Sequence, residues 1–224
     1  MLHQESVPSR VPDGVVAGTM ILAVGLLSIA VISHHPVVHS HTPEQLLHDV
    51  AASSTMDEIV HGTLIAFMLA LAFGFSVFAL RQGMHRQTSV AGLLSYLVGA
   101  AALSGAGLID GFFTPLVAAA NANASGAALT GVITVLAGGA AMIQVLTAFG
   151  FTAMSLGILL WSIGMLVTAG AVRYAGLAGL VAAIVPVIIV ASTHRIAVAT
   201  LMIIVLVQAV WYAAVGVLMI RRVL

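Results

Sequence analysis

Residues 110–173 read DGFFTPLVAAANANASGAALTGVITVLAGGAAMIQVLTAFGFTAMSLGILLWSIGMLVTAGAVR. No charged side chain stands between Asp110 and Arg173, and the stretch has room for one membrane span or for two. Which of these holds decides the fold, because the direction of every later helix depends on it.

Working outward, five further apolar runs occupy residues 14–33, 59–80, 90–113, 174–191 and 197–220. Each is long enough for the ~20 residues that a helix needs to cross a bilayer. Charged residues make up 6% of the chain and hydrophobic ones 61%, with a mean hydropathy of +1.18. Soluble domains carry about 25% charged residues, so this chain has too little charge to face water on all sides. The formal net charge is zero and no basic run marks a nucleic-acid partner. Cysteine is absent, which excludes disulfides and thiolate metal sites. All seven cations are arginine, so a lysine Schiff base is excluded too. The first run follows Arg10 and Asp13, ends in Ser-His-His-Pro without a small-residue cleavage site, and reads as a retained helix, not a signal peptide.

The arginines choose between the two topologies, since Lys and Arg near span ends favour the cytoplasmic side. One span in the ambiguous stretch puts Arg10, Arg81, Arg86, Arg173, Arg221 and Arg222 inside and only Arg195 outside. Two spans move Arg173, Arg221 and Arg222 outside and blur the bias. We therefore expect an all-α, polytopic transmembrane helical bundle of six spans with both termini cytoplasmic, forming one membrane domain over residues 1–224 in a bacterial inner membrane. A continuous helix over 128–170 would be ~64 Å long against a ~30 Å hydrocarbon core. The fourth span is accordingly placed at 141–169, with an outer cap over about 115–140. Gly138-Gly139 is a candidate break.

The chemistry concentrates elsewhere. Residues 34–61, HHPVVHSHTPEQLLHDVAASSTMDEIVH, hold six of the nine histidines, together with Glu44, Asp49, Asp57 and Glu58. The six-span topology brings several polar residues to one depth. His34 and His35 end helix one on the outer side, and His61 lies near the start of helix two. Asp110 lies ~31 Å along helix three from Ser89. His194 follows helix five. His34, His35, His61, Asp110 and His194 are thus candidate metal ligands at a common outer rim. A carboxylate among apolar neighbours, as Asp110 is in GAGLIDGFF, should face the bundle and find a partner. His194 or Arg195 could be that partner structurally. Gly107 and Gly111 have the small-xxx-small spacing that admits a second helix. Asp57 and Glu58, behind Ser53, Ser54 and Thr55, would cap helix two if it began by Met56. His39, His41 and His48 sit in the connector, as a metal tract or as solvated loop residues.

Nitrogen and carboxylate donors without sulfur suit a divalent transition metal, zinc or copper before others. Haem is disfavoured, because no histidine pair faces across the inner side of the bundle. The first helix ending in His-Pro, the polar connector and the histidine opening VHGTLIAFMLALAFGFSVFAL resemble uncharacterised small bacterial multi-helix integral membrane proteins, over roughly the first 85 residues. That group implies no functional residues. His61, His194, Asp110 and Ser104 are also similar to the ligand set of intramembrane zinc hydrolases of the alkaline-ceramidase type. The paired histidines expected on a late helix are missing here, since only His194 follows His85.

Three functions remain open on these residues. The first is an outward-facing His/Asp metal site serving a membrane enzyme or metal handling. The others are a helical accessory subunit of a larger membrane complex, and a small-solute transporter using Ser104, Gln144 and Gln208. The lipid bilayer is the partner in each case. A homo-oligomer or a larger assembly is compatible with all three.

Overall fold

The computed structural model describes residues 13–36, 40–193 and 195–224. Among them the chain forms seven α-helices and no strand: α1 (Gly14–Ser33), α2 (Pro43–Gln82), α3 (Gln87–Leu108), α4 (Thr114–Ala120), α5 (Gly126–Leu166), α6 (Ala171–Ser192) and α7 (Val198–Ile220). A π-helical turn, Ile109–Phe113, joins α3 to α4 without interruption. Six continuous helical stretches are long and apolar enough to cross a membrane, with Gln87–Ala120 counting as one. The charge-free stretch therefore holds a single span, and the chain is a multi-pass bundle of six.

Local sequence explains the helix starts. The Asp13 carboxylate accepts from the Val15 amide at 3.0 Å, which caps α1. Thr42 does the same for α2, accepting from the Gln45 amide at 3.2 Å. Pro43 then occupies the first helical position, where its missing N–H costs nothing. This early start revises the expected role of Asp57 and Glu58. They lie in the middle of a 40-residue helix and cap nothing. The polar connector after helix one is mostly the first four turns of α2.

Long α2 and α5 share one consequence. At 1.5 Å per residue the 41-residue α5 is ~62 Å long, and it runs unbroken through Gly138-Gly139. Its first turns rise beyond the bundle with the start of α2. There Leu47, Ala118, Leu129 and Leu136 form a small hydrophobic core of their own, with Val50, Val117 and Val132 packed against it. The expected cap over 115–140 is thus α4, a turn at 121–125 and the beginning of α5, together with the α2 extension. The glycine pair therefore does not end the helix, and the first turns of α5 pack on α2 and α4 through Leu129 and Leu136.

Within the bundle, close approach depends on small residues. A Cβ on Gly99 would lie 2.6 Å from the Gly150 carbonyl, and one on Gly157 2.7 Å from that of Gly92, so α3 and α5 pack almost backbone to backbone. Gly18 and Gly216 play the same part between α1 and α7, each 2.7 Å from the other's carbonyl by that measure. Deeper in, the rings of Phe75, Trp161 and Trp211 lie near-parallel in a mutual cluster, Phe75 5.3 Å from Trp161 and 5.4 Å from Trp211 between ring centres and the two indoles 6.3 Å apart. Tyr96 and Tyr212 flank Phe75, and the Tyr96 hydroxyl donates to that of Tyr212 at 3.1 Å. This aromatic core pins α2, α3, α5 and α7 together below the site described next.

The start of α1 and the C-terminal residues meet at one end of the bundle. Arg222 approaches Asp13 at 4.0 Å, and the Arg81 guanidinium donates to the Leu224 carbonyl at 2.8 Å. The opposite end, where α1 finishes and α7 begins, is called the rim.

Candidate metal centre

At the rim three side chains from three helices converge. Asp110 Oδ2 lies 3.2 Å from His61 Nε2 and 3.5 Å from His35 Nε2. The two imidazoles meet edge to face, 4.9 Å between centres. One donor atom from each residue falls within 4.8 Å of the other two. It is the one such group of three among the described residues.

Each member is aimed by its own segment. The amides of His34 and His35 donate to Val31 and Ile32 (3.1 and 3.0 Å), closing α1 with a tight turn. That turn sends the two rings apart. His34 stays exposed, its Nδ1 bonded back to the Ala30 carbonyl at 2.8 Å. The His35 side chain turns inward and is only 17% exposed. His61 is buried on α2, facing α3. It fits because Gly111 stands opposite, where any Cβ would collide with the His61 Cβ. Gly107 faces Ile65 one turn away. The small-residue spacing around Asp110 thus admits α2 as the sequence suggests.

Asp110 lies in the π-helical turn. The cause is two positions beyond that turn. Pro115 has no N–H to give the Gly111 carbonyl, so the i→i+4 ladder fails there. The helix widens, as π turns do, often at functional sites. Widening rotates Asp110 relative to the rest of α3 and brings its carboxylate between the two histidines. The T-P step after Asp110 was the signal for this, and the sequence reading did not use it.

The hydrogen bonds of the rings fix their chemistry. His61 Nδ1 lies 2.9 Å from the Asp57 carbonyl, and His35 Nδ1 2.7 Å from the Pro36 carbonyl. A carbonyl only accepts, so both Nδ1 atoms carry hydrogen and donate. In a neutral imidazole that leaves Nε2 bare. Two bare nitrogens and a carboxylate oxygen then point at one another with no hydrogen between them. The arrangement is satisfied in two ways: the histidines are protonated against Asp110, or a cation sits among the three donors. Histidine ligands characteristically donate their other N–H to a backbone carbonyl or carboxylate, as both do here. The Asp110 contact also holds the His35 pKa above its ordinary value of 6.5, against the opposing pull of burial.

The other expected ligands stand apart. His34 points away from the group. His194 and His39 lie outside the described residues, and so does any His61–His194 pairing. Arg195 is exposed, and Asp110 is partnered by histidines instead. The Asp57 carboxylate accepts from Ser53 at 2.8 Å, and only its backbone carbonyl serves the site. Ser104 donates to the Ala100 carbonyl of its own helix and does not join the group. Asp49 accepts from Ser40 in the connector at 2.8 Å.

No protein-family model, curated protein or solved structure matches the chain.

Proposed function

We propose that this chain is a metal-dependent membrane enzyme of a bacterial inner membrane, with an outward-facing centre built by His35, His61 and Asp110. The observation that carries the proposal is the commitment of both Nδ1 atoms to backbone carbonyls, which turns two Nε2 lone pairs onto one carboxylate oxygen. Two nitrogens and one oxygen suit zinc well, and copper(II) also. Catalytic zinc sites use three protein ligands and keep one position open, whereas structural ones close all four. A bound ion would supply Lewis acidity and activation of water at neutral pH.

The residues have separate tasks. His35 and His61 present neutral nitrogens in a fixed tautomer, held by Pro36 and Asp57. Asp110 supplies the negative charge, and the π turn sets its reach. The Ser53 hydroxyl holds the Asp57 side chain, which steadies the α2 turn that orients His61. Hydrolysis of a substrate entering from the membrane is the reaction class that this set supports best.

A second reading has its own support. The raised pKa of His35 favours a protonated histidine on Asp110, which would make the triad a structural ion-pair cluster in an accessory subunit. Metal analysis of tag-free protein, before and after chelation, separates the two. The enzyme reading expects about one ion per chain. It also expects loss of that ion in Asp110→Asn while the variant stays folded. A folded, metal-free wild type that takes up no ion on reconstitution supports the structural cluster.

A further inference from the structure

The triad stands at the mouth of a cavity of about 400 Å3 that runs down the bundle axis, within the roughly 300–1,000 Å3 of small-molecule sites. Its walls are hydrocarbon, with Leu64, Met68, Leu103, Ile143, Phe151 and Leu201 among them. The lining extends along α1 from His35 back to Gly25 and along α2 from His61 to Leu71. Ten residues of helix make the shaft ~15 Å deep. That is half of the ~30 Å hydrocarbon core, or the thickness of one leaflet. α5 packs directly on α3 and α6, and α7 on α1 and α6. The shaft occupies the space left between α5 and α7. At the rim Gln144 closes that space by a paired contact with Ile196, accepting from its amide at 2.8 Å and donating to its carbonyl at 3.3 Å.

The floor is polar. Gln208 is only 2% exposed and lines the cavity. Its Oε1 accepts from the Tyr212 hydroxyl at 3.4 Å, while its Nε2 has no partner. Methylenes offer that amide no partner, so an apolar occupant ends above Gln208.

We infer that the shaft holds a single fatty-acyl chain, with the polar head of the amphiphile on His35, His61 and Asp110 and the methyl end above Gln208. Three features converge on this occupant: apolar walls, a depth of one leaflet, and acidic and basic side chains confined to the mouth. The inference rests on the triad being the reactive end of the site, and names the substrate class of that site. Two sources share the chemistry, a free fatty acid and the chain of a single-chain lipid.

Native mass spectrometry of the full-length, delipidated protein in detergent tests it, with palmitate and 1-palmitoyl-lysophosphatidylcholine as probes. The chain is measured in chelator, so that failure of metal binding and failure of chain binding are read separately. Expected is one saturable adduct per chain. An adduct with palmitate alone assigns the free acid, and one with the lysolipid assigns a lipid-borne chain. Ala106→Phe and Val205→Phe each place a ring in the shaft. They should lower occupancy about tenfold, which is roughly what two buried methylenes are worth. Val205 is only half-buried, so that variant decides if Ala106→Phe does not fold. No saturable adduct with either probe, or equal occupancy in a folded Val205→Phe, overturns the inference.

Discussion

His61 and Asp110 meet at 3.2 Å across the α2–α3 interface because Gly111 offers no side chain where the His61 Cβ lies. The contact depends on that vacancy as much as on the two polar residues. Gly111→Ala would push α2 away from the π turn and separate the imidazole from the carboxylate. We expect a loss of about 1–3 kcal/mol, typical of an overpacked core, together with loss of metal. Gly138→Ala is the control, since nothing lies within 4 Å of a Cβ there. Thermal melts of both variants in one detergent check this. Equal melting temperatures would show that the close approach at Gly111 is not needed.

Pro115→Ala restores the missing N–H and lets the helix revert from π to α across residues 109–113. Asp110 then rotates out from between the histidines, while α3 keeps its packing on α5. Metal affinity should fall by at least roughly tenfold, the usual cost of disturbing what orients a ligand, with little change in melting temperature. Titration with zinc in a competing chelator measures it. Unchanged affinity would mean that Asp110 reaches the site without the π turn.

The pH dependence has opposite signs in the two states of the site. In metal-free protein the pKa of His35 is raised by Asp110. The stability from that contact is full below the ordinary histidine value of about 6.5 and is lost as pH rises through the higher folded-state value. Bound metal requires neutral histidines, so its stabilisation grows over the same interval. Melting temperatures with and without zinc should therefore diverge as pH rises from about 5 to 8, the range in which histidine titrates. Parallel curves would contradict both the pairing and the metal.

The absence of native cysteine makes topology directly testable. Ala124→Cys and Met84→Cys should label from opposite sides of the membrane, the first from outside. Val172→Cys should label from the Met84 side. Labelling of residue 172 from outside would break the six-span orientation.

Much of this was legible in the chain itself. The asymmetric arginines settled the number of spans, and the single span over 110–173 follows from them. Helix rise alone placed His35, His61 and Asp110 at one depth, and Gly107 and Gly111 announced the close helix contact. What periodicity could not give was direction around each helix. His34 and His35 were equivalent on depth, and only the turn closing α1 separates them. The connector read as a loop because its polar residues mask a helix that begins at Thr42 and is held by Leu47 against α4 and α5. Gly138-Gly139 suggested a break, but the helix continues through it. The apolar shaft was invisible, since lining and lipid-facing leucines look alike in a sequence this hydrophobic.

The central claim is that His35, His61 and Asp110 hold a metal ion. Elemental analysis of tag-free wild type beside a His35→Ala, His61→Ala double variant tests it most directly. Both would be purified in detergent, loaded with zinc and washed free of excess. About one ion per wild-type chain, and none in a double variant that still elutes as folded protein, is the expected result. The same metal content in both proteins, or none in either after loading, would contradict it.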